Sequence, residues 1–130
     1  MIRDRLIYPI IVGEYFDDGH YFVADSPNID GMVTQGNTFN EVVFWAEDAI
    51  ATMLEDMTDY PEAVDPSKWE LKDNEKIVYI SVNMREWLSR NGKTIRKNVT
   101  VPEYLVRAAK ERGLNTSQIF TNALHEELGI

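Results

Sequence analysis

The stretch Met32–Leu54, "MVTQGNTFNEVVFWAEDAIATML", holds the change from strand to helix on which the fold turns. Met32-Val33-Thr34 reads as a short strand and Gln35-Gly36-Asn37 as the turn that ends it. Thr38 then opens a helix. Glu41 follows three residues later, which completes a capping box able to satisfy two orphan backbone amides. Val42, Val43, Ala46, Ala49, Ile50, Met53, Leu54 and Met57 recur at helical spacing and form one apolar stripe. The stripe ends near "DMTDYPEAVDP", a run of acids with two prolines that reads as a loop. Phe44 and Trp45 widen the apolar surface beyond one stripe. Core packing explains them first; exposed on this helix they would mark a partner surface, since aromatics are enriched at binding hot spots.

Upstream, "RLIYPIIV" (5–12) is an apolar, β-branched run typical of a buried strand, in which Pro9 must sit at an edge or a bulge. "YFDDGHYFVADS" reads as a hairpin, with Asp18-Gly19 as its turn between two aromatic arms. Downstream, "KIVYISVNM" (76–84) is a fourth strand. The order βββαβ predicts an α+β domain, one helix packed on one face of a mainly antiparallel sheet. "MREWLSRNGK" (84–93) reads as a linker or short helix ending at Asn91-Gly92. The domains are therefore 1–83, the 84–93 connection, and 94–130.

In "RKNVTVPEYL" (96–105), Arg96, Asn98 and Thr100 alternate with Lys97, Val99 and Val101, the period of a half-buried strand. Pro102 stops the strand and suits the first turn of a helix. The rest of the chain looks helical, so no second strand waits nearby. The first helix runs from Pro102 to Arg112, has Leu105, Ala108 and Ala109 on its inner side, and is stopped by Gly113. The second opens at Asn115 as N-cap, with apolar Ile119, Phe120, Ala123, Leu124 and Leu128. So small a segment cannot hold a core alone. Pairing the strand with its copy in a second chain would bury Val99, Val101, Leu105, Ile119 and Phe120 as the core of a homodimer. Lys97 fits this poorly, because strict alternation puts it on the core side.

Composition narrows the function classes. The chain has 130 residues, no Cys and a net charge of −9. No apolar run nears the ~20 residues of a membrane span. The start "MIRDRLIYPIIVGEYF" lacks the apolar length of a signal peptide. A cytoplasmic protein without disulfides or cysteine-held zinc is expected. The charge is divided: residues 1–92 carry seven Lys/Arg against eighteen Asp/Glu, residues 93–130 six against four. A basic segment behind an acidic one suggests separate tasks, the basic one facing nucleic acid. Asp17, Asp18, Asp25 and Asp30 could in principle hold magnesium, but they have no shared face that the sequence establishes. His20 and His125 lie far apart. No phosphate loop and no nucleophile–base pair appears, so no catalytic residue, metal or cofactor is expected.

Strand, helix, Gly-Leu turn and helix over 94–128 resemble the ribbon-helix-helix family of DNA-binding proteins. The resemblance implies a ribbon in the major groove, with Arg96, Asn98 and Thr100 as base readers and Asn115, Thr116 and Ser117 on a phosphate. "GHYFVADSPNIDGMVTQGNTFNEVVFWAEDAI" resembles the signature of HicB-type antitoxins, whose N-terminal domain is a reduced RNase H-like core. "RKNVTVPEYLVRAAKERGLNTSQIFTNAL" resembles the C-terminus of one branch of that family. Asp30 departs from the pattern, where a second Pro is usual. The resemblance implies an antitoxin that binds a HicA-type mRNA-cleaving toxin of double-stranded-RNA-binding fold and represses its own operon at operator DNA. Its partners would be that toxin, DNA and a second copy, with oligomers beyond the dimer through the sheet domains. The alternative from another class is a stand-alone regulator whose N-terminal domain senses a small ligand.

Overall fold

The computed structural model describes residues 5–130; Met1–Asp4, the charged start weighed above against a signal peptide, lie outside the described residues. The chain divides into two compact units, one ending at Gly92 and the other beginning at Lys93. The first unit holds strands β1 (Leu6–Tyr15), β2 (Tyr21–Asp25), β3 (Val33–Gly36) and β4 (Glu75–Val82). They form one antiparallel sheet in the order β3-β2-β1-β4. Its helices are α1 (Phe39–Leu54) and α2 (Met84–Asn91). The chain is thus a mixed α+β protein, as the strand and helix patterns indicate.

β1 is buried along most of its length, and one of its faces meets α1. Leu6, Tyr8, Ile10 and Val12 join Ala24, Ile80 and Val82 in a core closed by Val42, Ala46, Ile50 and Leu54 of α1. That set is the helical stripe meeting the strand stripe, and its apolar burial is the main stabilising term of the unit. Pro9 pairs with Tyr79 of β4, but β2 reaches only as far as Ile11 along β1. Pro9 therefore occupies the half of the strand that has a neighbour on one side only, where a missing amide costs no ladder bond.

The sequence misplaces the end of β3. Gln35 and Gly36 belong to the strand rather than to a turn. Gly36 is there because the start of α1 lies almost on top of it: a β-carbon would stand 2.7 Å from the Val42 nitrogen. Thr38 caps α1 as expected, its Oγ1 accepting from the Glu41 amide at 3.1 Å. Phe39 is held edge-on to Phe22, with the Lys76 ammonium 4.4 Å above its ring.

Residues 84–91 are a helix. Asn83 caps it by accepting from the Glu86 amide, and Met84 is fully buried. Trp87 and Leu88 pack on the same core, so this short helix is part of the sheet unit. The long loop after α1 is also tied down. Tyr8 donates its hydroxyl to the Pro61 carbonyl, while Asn28 donates to the Glu62 carbonyl and accepts from the Val64 amide.

The second unit contains α3 (Glu103–Glu111) and α4 (Thr116–Leu128). Gly113 adopts φ +65° between them, a left-handed conformation that suits glycine. Asn115 caps α4, its side chain accepting from the Gln118 amide at 3.0 Å. The Arg107 guanidinium donates to Glu103 one turn away.

Candidate partner and nucleic-acid interfaces

The segment read as a ribbon strand has no strand partner among the described residues. Residues 93–101 carry no regular secondary structure and, among the described residues, their amides donate no backbone hydrogen bond. A strand needs a neighbour to complete its ladder, and the described residues offer none. Arg96, Asn98 and Thr100 are all exposed. Arg96, Lys97 and Ser117 line one hollow with Phe120 and Leu124. Lys97, the misfit of strict alternation, thus stands beside Arg96 on a basic rim. Asn115 is occupied in capping, so the groups free at the start of α4 are backbone amides and the hydroxyls of Thr116 and Ser117.

Val99, Val101, Leu105, Ile119 and Phe120 line a single second groove. Not one residue from Lys93 onward is buried, although this unit holds two striped helices. Val99 is 54% exposed and Ile119 50%. A segment of under ~40 residues with so open an apolar groove buries no core of its own.

The acids considered for metal binding do not converge. Asp17 accepts the Tyr21 hydroxyl at 2.7 Å and belongs to the hairpin. No group of three or more metal-capable side chains occurs among the described residues. His20 stacks on Phe16 at 4.5 Å and stands 3.5 Å from a Glu14 carboxylate oxygen. His125 lies in the last turn of α4. Partial burial, and then the neighbouring Glu75, hold the Asp25 carboxyl above the usual carboxylate range. A carboxyl whose pKa is higher folded than unfolded favours folding when protonated. That contribution is complete below the ordinary carboxylate range and is lost as pH rises through the folded-state value. Asp25→Asn is therefore expected to raise the melting temperature slightly at pH 7 and to lose the gain in acid. Thermal unfolding at both pH values checks this.

The charge of the first unit is more concentrated than its total suggests. Between Arg5 and Lys68 stand thirteen Asp/Glu and no Lys or Arg. The α1 helix itself bears Glu41, Glu47 and Asp48, with no basic residue in its last turn. Its outer surface exposes Phe44 (61%) and Trp45 (44%), a pair packed edge to face at 5.1 Å. The core explanation for these aromatics fails, because α1 already has its stripe. A second apolar surface is the outer face of the sheet, where Ile7, Val33 and Tyr79 are exposed. The signal for both was in the sequence, as apolar positions left over once the inward stripes are assigned. No helix among the described residues is long and apolar enough to cross a membrane.

A four-stranded antiparallel sheet under one long helix, followed by a small pair of helices, defines a two-unit α+β class of protein. The chain belongs to the HicB-like antitoxin family of bacterial toxin-antitoxin systems, whose model it matches over residues 8–121. Among solved structures it is similar to a chain of a toxin-antitoxin complex from Streptococcus pneumoniae, with TM-score 0.58 and 21% identity over 95% of this chain and 99% of that one. It is also similar to the antitoxin HicB3, with TM-score 0.50 and 25% identity over 94% and 97% of the two chains. The antitoxin HicB of Burkholderia pseudomallei aligns at TM-score 0.49 and 19% identity, over 94% and 97%. No curated protein sequence matches the chain.

Proposed function

We propose that this antitoxin silences a HicA-type RNA-cleaving toxin by direct binding through its acidic first unit, and represses its own operon through its second. The observation that carries the second half is the open groove of Val99, Val101, Leu105, Ile119 and Phe120 beside a segment whose amides, among the described residues, donate no backbone hydrogen bond. Pairing residues 94–101 with the same residues of a second copy supplies the missing ladder. It also closes the two half-cores on each other. The resulting ribbon-helix-helix dimer turns Arg96, Asn98 and Thr100 toward base edges in the major groove. Arg grips guanine O6 and N7 with two bonds, Asn grips adenine N6 and N7, and Thr offers a hydroxyl and a methyl. Phosphate oxygens then meet the amides at the start of α4.

The first half rests on charge. A toxin that holds RNA must carry a basic surface, and a unit with thirteen acids and no base between Arg5 and Lys68 speeds and orients its capture. The sheet and helix are read as a reduced RNase H core without its chemistry, and the protein as a cytoplasmic inhibitor rather than an enzyme.

The test is co-expression with the protein encoded by the adjacent reading frame, then an RNA-cleavage assay with and without this chain and a gel shift on the upstream DNA. Arg96→Ala and Asn98→Ala should each weaken operator binding at least tenfold, since a bidentate base contact is worth ~1–3 kcal/mol. Thr100→Ala should do less. RNA protection should be unchanged in all three. Wild-type gel shifts from every variant would sink the ribbon.

A further inference from the structure

We infer that the outer face of α1, centred on Phe44 and Trp45, is the surface that seats the basic toxin. The inference rests on the antitoxin reading above and locates its contact. Phe44 and Trp45 project from a helix whose opposite side is fully committed to the core through Val42, Ala46, Ile50 and Leu54. They add nothing to that core, and two large aromatics in water are an uncompensated exposure unless something covers them. Their edge-to-face contact at 5.1 Å fixes them relative to each other, so less freedom is lost when a partner closes over them.

Charge selects the occupant. Helical spacing sets Glu41 and Asp48 on the same outer strip as the aromatic pair, three or four residues to either side. Both are anionic neighbours, and the helix has no cation to offset them. An apolar centre with an acidic rim is the complement of a protein whose own surface is basic around an apolar patch. Nucleic acid is excluded by the same rim. A second copy of this chain would bring acid against acid, which suits the outer sheet face of Ile7 and Tyr79 better. There Ile7, Val33 and Tyr79 are exposed, and the acids on that face are fewer than on α1. Covering α1 also explains how RNA is kept away: a toxin that presents its basic surface to this helix cannot present it to phosphate.

The experiment uses the full chain and the protein encoded by the adjacent reading frame, titrated by calorimetry and by stopped flow at two salt concentrations. The double variant Phe44→Ser/Trp45→Ser should weaken binding by roughly 30-fold or more, the loss typical of aromatic hot spots. Asp48→Lys should slow association about tenfold at low salt and flatten its salt dependence. Ile7→Ser/Tyr79→Ser should leave toxin binding unchanged. Thermal unfolding and operator gel shifts should match wild type for the α1 variants, because the substituted residues are exposed. If wild type binds the toxin and the α1 variants bind it as well, the surface is wrong while the antitoxin reading stands. If the sheet variants lose binding instead, the toxin sits on the sheet. If wild type itself binds nothing, the antitoxin reading falls and takes this surface with it.

Discussion

Val99→Asp should leave the protein monomeric and unable to bind its operator, with the sheet unit still folded. Val99 lines the open groove beside Val101, Leu105 and Phe120. In a dimer closed through that groove the side chain is removed from water. A carboxylate buried there without a partner costs several kcal/mol, and two-fold symmetry imposes the cost twice. The second unit has no buried residue of its own to offset such a loss. Dimerisation should fall by at least a hundredfold, measured by sedimentation at micromolar concentration, and the gel shift should vanish. The contrast with Arg96→Ala is diagnostic: that variant keeps the dimer and loses only DNA. A dimeric, operator-binding Val99→Asp protein would mean that the faces of the segment are reversed, with the valines outward.

What could be read from the sequence divides along physical lines. Thr38, Asn115 and Gly113 stand where local chemistry put them, because a cap or a left-handed residue acts within one turn of chain. The stripe of α1 was legible because it records one face meeting one core, and β1 because a continuous apolar, β-branched run marks a strand buried along most of its length. Gly36 was misread for the opposite reason. A glycine looks like a turn, and only the approach of α1 shows that it is needed inside a strand. The stretch 84–91 stood open between a linker and a short helix. Met84, Trp87 and Leu88 have the right spacing, but eight residues give a weak periodic signal, and docking on a distant core decides the matter. The outer surface of α1 is a further case. Phe44 and Trp45 were visible as surplus, whereas their exposure depends on how the helix is rotated against the sheet.

A fragment ending at Gly92 should fold on its own, bind and silence the toxin, and leave operator DNA alone. Its core supports the first claim directly: every buried residue among those described, from Leu6 to Met84, lies within it. Cutting after Gly92 also spares the end of α2, since the Gly92 amide closes that helix on the Leu88 carbonyl at 2.8 Å. Cooperative unfolding close to the full chain's first transition is therefore expected. The fragment retains eighteen acids against seven bases, so attraction to a basic partner is kept while the basic segment is gone. Calorimetric affinity for the toxin should stay within about tenfold of the full chain, the difference being whatever a second binding site in the proposed dimer adds through avidity. The complementary piece behaves otherwise. Residues 93–130 have no buried core as a single copy, so their stability should rise with concentration as dimers form. A folded fragment that binds no toxin would move the inhibitory surface to the second unit or end the antitoxin reading. One that binds a small metabolite instead would favour the ligand-sensing regulator.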